Sequence, residues 1–107
     1  MQMGIPEAIA YAISKCEPSA HPWLFKNIIL TGGNSCFPNF RERVEKEVRE
    51  LAPNLMDVRV TLPPDPVKHA WAGGTKLASD DCLIDISVTR DEYLENGEAV
   101  CEEKFYL

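Results

Sequence analysis

Apolar residues recur at helical spacing at Ile5, Ile9, Ala12 and Ile13, which predicts a helix over about Pro6–Cys16 with one core-facing side. Pro6 suits the first helical position and Glu7 the positive end of the dipole. Pro18 and Pro22 bracket a segment expected to be a loop, with Trp23, Leu24 and Phe25 as an apolar plug behind it. Within Asn27–Thr31 the apolar run Ile28-Ile29-Leu30 is continuous rather than alternating. That is the pattern of a strand covered on both faces. Gly32-Gly33 ends it sharply, and Pro38 opens the clearest helix of the chain, to about Leu51. Its apolar stripe is Phe40, Val44, Val48 and Leu51. Glu42/Lys46 and Glu45/Arg49 on the other face have the order and spacing of i,i+4 ion pairs.

Val58, Val60 and Leu62 alternate with Arg59 and Thr61, the signature of a half-buried strand. Pro63-Pro64-Asp65-Pro66 cannot pair in a sheet and reads as a rigid connector. Lys68–Ser79 is predicted helical although it contains Gly73 and Gly74. Two interior glycines cost about 1 kcal/mol each relative to alanine, so close approach of another element or a ligand is expected there, packing before ligand. Cys82–Val88 carries no assignable period. Thr89-Arg90-Asp91-Glu92 has capping-box spacing, and Asn96-Gly97 is a helix stop. The tail Cys101–Leu107 is acidic with apolar anchors. Only two strands are predicted, and such a sheet is marginal alone. The expectation is therefore a piece of a larger α/β domain.

Composition narrows the chemistry. The 107 residues carry 11 Lys+Arg against 17 Asp+Glu, a net charge of −6, which disfavours direct nucleic-acid binding. No apolar run reaches the ~20 residues of a membrane span, and no secretory signal opens the chain. Cys16, Cys36, Cys82 and Cys101 are widely spaced without a C-x-x-C pair. Neither a metal site nor a disulfide framework is expected, and a reducing intracellular compartment is. His21 and His69 read as solvated or structural. No Ser/His/Asp arrangement, zinc helix or nucleophile elbow is present, so no catalytic residue is assigned. Strand, Gly32-Gly33, polar turn and helix is a geometry that can hold a phosphate or ribose. It lacks the G-x-x-x-x-G-K-[ST] lysine and the G-x-G-x-x-G spacing, so on its own it reads as a tight turn first.

The run from Ile28 through Thr31-Gly32-Gly33-Asn34-Ser35-Cys36-Phe37 to Pro38 resembles the strand–loop–helix that wraps adenosine in the actin superfamily. Agreement continues in order from about Gly4 onward. Leu51-Ala52-Pro53, Pro63-Pro64, Trp71-Ala72-Gly73-Gly74, Leu77-Ala78-Ser79, Glu92-Tyr93 and Gly97 all follow the family pattern. Asn34, Val88-Thr89-Arg90, Glu95-Asn96-Gly97 and the ending Cys101-Glu102-Glu103-Lys104-Phe105 resemble one nuclear subfamily rather than conventional actin.

The resemblance implies that residues 1–107 form the C-terminal part of an actin-like, ribonuclease H-like α/β ATPase fold, as an incomplete domain and a partial sequence. It implies a non-catalytic subunit of a nuclear chromatin-remodelling complex that exchanges a variant histone, with the cytoplasm as a second location. The alternatives are a nucleotide-dependent actin-like ATPase and a cytoskeletal relative. Gly32 and Gly33 match the loop glycines against the nucleotide, and Cys36 and Phe37 stand where actin uses Met and Tyr near the adenine. Val67, followed by Lys68, occupies the place of actin's base-contacting lysine. Ala72 and Lys76 replace isoleucines of its partner-binding cleft. The implied ligand is ATP in the full-length parent, with none expected for this chain alone. The implied partners are remodeller subunits, without direct nucleic acid, membrane or polymerisation.

Overall fold

In the computed structural model, which describes residues 2–105, the chain divides into two units, one through Ala70 and one from Trp71. The first holds α1 (Ile5–Ser14), a 3-10 turn (Pro18–Ala20), α2 (His21–Lys26), β1 (Ile28–Ile29), a second 3-10 turn (Gly33–Cys36), α3 (Phe40–Leu51) and β2 (Val60–Thr61). Helix α4 (His69–Ala78) runs across the division. The second unit continues with α5 (Leu83–Ile86), α6 (Arg90–Asn96) and α7 (Glu98–Lys104).

In the first unit β1 and β2 pair in parallel, Ile28 opposite Val60 and Ile29 opposite Thr61. The ladder extends through Ile28 N–H to Arg59 O at 3.2 Å and Leu30 N–H to Thr61 O at 2.9 Å. Parallel strands cannot be joined by a tight turn, and α3 is the crossover. Its Val44 and Val48 join Ile13 of α1, Phe25 of α2, Leu30, Ala52 and Val60 in one buried cluster. Val48 has no exposed surface at all.

Several expectations change on contact with this packing. The Trp23-Leu24-Phe25 plug is helical, because Pro22 sits in the first turn of α2, where its missing N–H leaves nothing unsatisfied. Phe25 is buried while Trp23 is 75% exposed. The Ile28-Ile29-Leu30 run is covered on one face only, since Leu30 is buried and Ile29 is 51% exposed. Helix α3 begins at Phe40 rather than Pro38, after Asn39 turns left-handed at φ 60°. Its stripe ends on buried Ala52, with Leu51 half out in solvent.

The ion pairs also differ from those the spacing suggested. Arg41 meets Glu45 at 2.9 Å and Glu42 at 3.0 Å, and Arg43 meets Glu47 at 2.7 Å. Arg49 does not take Glu45. Its guanidinium reaches the carbonyls of Ala52, Pro53 and Met56, in the loop that follows α3.

In the second unit the capping box forms as expected. Glu92 N–H donates to Thr89 Oγ1 at 3.2 Å and Thr89 N–H to Glu92 Oε2 at 2.8 Å. Gly97, at φ 65°, closes α6 and opens α7. The unassigned Cys82–Val88 stretch contains the one-turn helix α5, and the tail is helical to Lys104. Tyr106 and Leu107, counted among the tail's residues, lie outside those described. Neither Gly73 nor Gly74 has a heavy atom within 4 Å of where a Cβ would stand. The close approach anticipated there is therefore absent among the described residues.

Four consequences can be measured. Val48→Ala removes two buried methyl groups and is expected to cost about 2 kcal/mol, read as a lower urea midpoint, whereas exposed Leu55→Ala stays within about 0.5 kcal/mol. Gly32 has φ 95° and ψ 166°, a region essentially reserved for glycine, so Gly32→Ala is expected to cost about 1–3 kcal/mol. The equivalent change at Gly33 is expected to be nearly neutral. Thr89→Ala removes the cap of α6, at about 1 kcal/mol, read as faster amide exchange in that helix. The Thr89 backbone N–H first, and the Lys104 ammonium second, hold the Glu92 carboxyl below the ordinary glutamate value of 4.5. Because the folded value is the lower one, this support is complete above pH 4.5 and is lost as the pH falls through that lower value. An acid titration of α6 helicity checks the sign.

Candidate functional site

The chain leaves β1 at Leu30 and must turn at once, because α3 has to return over the sheet. Gly32 makes that turn. Its N–H donates to Pro66 O at 2.8 Å, and its carbonyl accepts the Ser35 N–H at 3.1 Å. Below the loop Ser35 is buried, and its Oγ donates to Thr31 O at 2.9 Å. The loop is thus tied at its base by Ser35 and at its side by the proline connector. Pro63 and Pro66 are themselves buried, so the connector is a fixed wall rather than a free strap.

The four candidate residues fall on this one turn. Gly32 enters it, Gly33 and Cys36 bound the 3-10 segment, and Phe37 follows. Among the described residues nothing lies within 4 Å of a Cβ placed on Gly32 or Gly33, so both backbones are open on that side. Cys36 is exposed and Phe37 is 64% exposed. The Gly32–Pro66 bond brings Val67, 62% exposed, to the same rim. The turn therefore offers bare backbone, a thiol, an aromatic face and an aliphatic side chain. None of these groups is a carboxylate, imidazole or amine, and the arrangement is that of a cradle for a ligand.

The motif's glycines signalled the turn in the sequence, but two supports were not picked out. Ser35 is a short polar residue in a polar stretch, and only its burial reveals that it braces the loop. Pro66 contributes through its carbonyl, which no side-chain pattern reports. Elsewhere in the first unit, a cleft of about 360 Å³ lies between the start of α1 and α3, lined by Ile5, Pro6, Phe40 and Val44. A second of about 340 Å³ is lined by Pro22, Trp23, Leu55 and Met56. The glycine turn lines neither. Among the described residues no group of three or more His, Cys, Asp or Glu side chains converges as a metal site would require. His21 Nε2 lies 3.0 Å from the Cys16 carbonyl, a local structural contact.

The family profile described as "Actin" matches residues 1–106. The chain is 42% identical over 105 residues to Actin-related protein 6 of Arabidopsis thaliana, covering 98% of this chain and 25% of that protein. It is 40% identical over 103 residues to Actin-like protein arp6 of Emericella nidulans, covering 95% of this chain and 22% of that one. It is 38% identical over 96 residues to Actin-related protein 6 of Drosophila melanogaster, covering 90% and 24% respectively. The chain thus spans about a quarter of the length of the curated relatives it matches. With β1, the glycine turn, α3 and β2 arranged as part of an α/β domain, and with this likeness over nearly every residue, the chain belongs to the actin family.

Proposed function

We propose that this chain is the adenosine-side segment of an actin-related subunit of a nuclear chromatin-remodelling complex that exchanges a variant histone. In this reading the subunit is non-catalytic, and ATP bound to the full-length parent serves its architecture rather than turnover. The observation that carries the reading is the 42% identity to Actin-related protein 6 across 98% of the chain. Loop chemistry supports it: open backbone at Gly32 and Gly33 suits a ribose or phosphate, and exposed Phe37 suits contact with a base. Ala72 and Lys76 stand where the resemblance puts isoleucines of conventional actin's partner-binding cleft, which supports a partner set other than that of the cytoskeletal protein.

A nucleotide-dependent ATPase is the second reading, favoured by the same open glycine turn. The two separate on the full-length parent. Co-purification with remodeller subunits from nuclear extract, without ATP turnover, is the outcome expected here. Steady ATP turnover by the purified parent would move the assignment to the second reading, and failure to co-purify would sink the first.

Gly33 provides a clean probe of the loop, because a side chain there meets no other part of the described chain. Gly33→Val in the parent is expected to weaken ATP binding by about tenfold or more, ~1.4 kcal/mol, while leaving its fold intact. Equal ATP affinity in parent and variant would remove this loop from the site.

A further inference from the structure

From Val67 to Phe105 no described side chain is buried, so the second unit has no apolar core to hold its last two helices together. In the α6–α7 hairpin, among the described residues, Val88, Val100 and Cys101 are the apolar side chains that reach even half-burial. The specific contacts in this hairpin are polar, and they converge on one amine. Lys104, in the last turn of α7, donates to the Ser87 carbonyl at 2.8 Å and to Glu92 Oε1 at 3.1 Å. The other oxygen of that carboxylate accepts the Thr89 N–H. Glu92 therefore faces two ways, capping α6 with one oxygen and receiving α7 with the other.

We propose that Lys104 is a latch: its single ammonium closes the C-terminal helix onto the capping box of α6, and loss of that charge frees α7 as a strap hinged at Gly97. Three features separate this contact from an ordinary surface ion pair, which contributes little. The ammonium bridges 17 residues to a backbone carbonyl and 12 to a carboxylate. Its side chain keeps only 27% of its exposure and that of Glu92 39%. The receiving carboxylate is already fixed by the Thr89 backbone, so no flexible partner must be ordered when the latch closes. The hinge is equally specific, since Gly97 at φ 65° and ψ −149° is the residue shared by the end of α6 and the start of α7.

Amide hydrogen exchange on the full chain tests the latch with two variants. Lys104→Met keeps the aliphatic stem and removes the charge, whereas Lys104→Arg keeps the charge. Exchange across Glu98–Lys104 is expected to accelerate by about tenfold in Lys104→Met, the scale of a lost charge-assisted hydrogen bond. It is expected to stay close to the original rate in Lys104→Arg, with the amides of α3 unchanged in both. The proposal is overturned by unchanged exchange in Lys104→Met, or by equal acceleration in α3, which would mean general destabilisation. It is overturned as well if the amides of α7 already exchange at the unfolded rate in the unsubstituted chain.

Discussion

Two parallel strands impose the constraint on which the first unit depends. Ile28–Ile29 and Val60–Thr61 run the same way, so the chain must leave β1, travel back over the sheet and re-enter in the same direction. Helix α3 makes that journey, and Val48, with no exposed surface, is where it seals against the sheet. The same constraint places the glycine turn. A crossover has to start at the C-terminal end of its first strand, which is where ligands sit in open α/β sheets. Gly32, at φ 95°, lets the chain turn there without strain. Ser35 and Pro66 then hold the resulting loop in one shape. Packing and candidate site are two results of one topological requirement.

The second unit is built differently. Its described elements are all helices, yet no described side chain from Val67 onward is buried, and Trp71, Ile84 and Leu94 are each about 70% exposed or more. Among the described residues nothing outside the helix's own backbone lies within 4 Å of a Cβ placed on Gly73 or Gly74. Helices of four to ten residues are marginal without tertiary packing, so local devices matter more here than in the first unit. The capping box at Thr89, the Gly97 break and the Lys104 contacts are such devices. A chain spanning about a quarter of its relatives' length, with a two-stranded sheet and much apolar surface, is what part of an actin-like domain looks like.

Much of this was legible in the residues because the signals were local. Helical periods at Ile9–Ile13 and Val44–Val48, the capping-box spacing at Thr89 and Glu92, and the Gly32 turn each operate within four residues. At that range geometry is nearly independent of the rest of the chain. The candidate loop was legible for the same reason. Failures came where two local signals competed or where a distant group intervened. Pro22 signalled both loop and helix start, and helix prevailed because Phe25 could be buried by it. Glu45 had two arginines at i,i±4, and Arg49 was taken by three carbonyls that the sequence pattern does not display.

By itself, then, the sequence determined α1, α3, α4, α6, the two strands, the Gly32 turn and the family, because periodicity, capping and ordered motifs are written along the chain, whereas α2, α5 and α7 were not legible in it. Only the tertiary structure decided that Leu30 rather than Ile29 faces the core, that Ser35 lies beneath the loop, that Gly32 leans on Pro66, and that Lys104 reaches back to Ser87. Each of those outcomes depends on which face of an element meets another, or on a backbone carbonyl whose position follows from the path of the chain. Neither quantity is a property of any short stretch of residues.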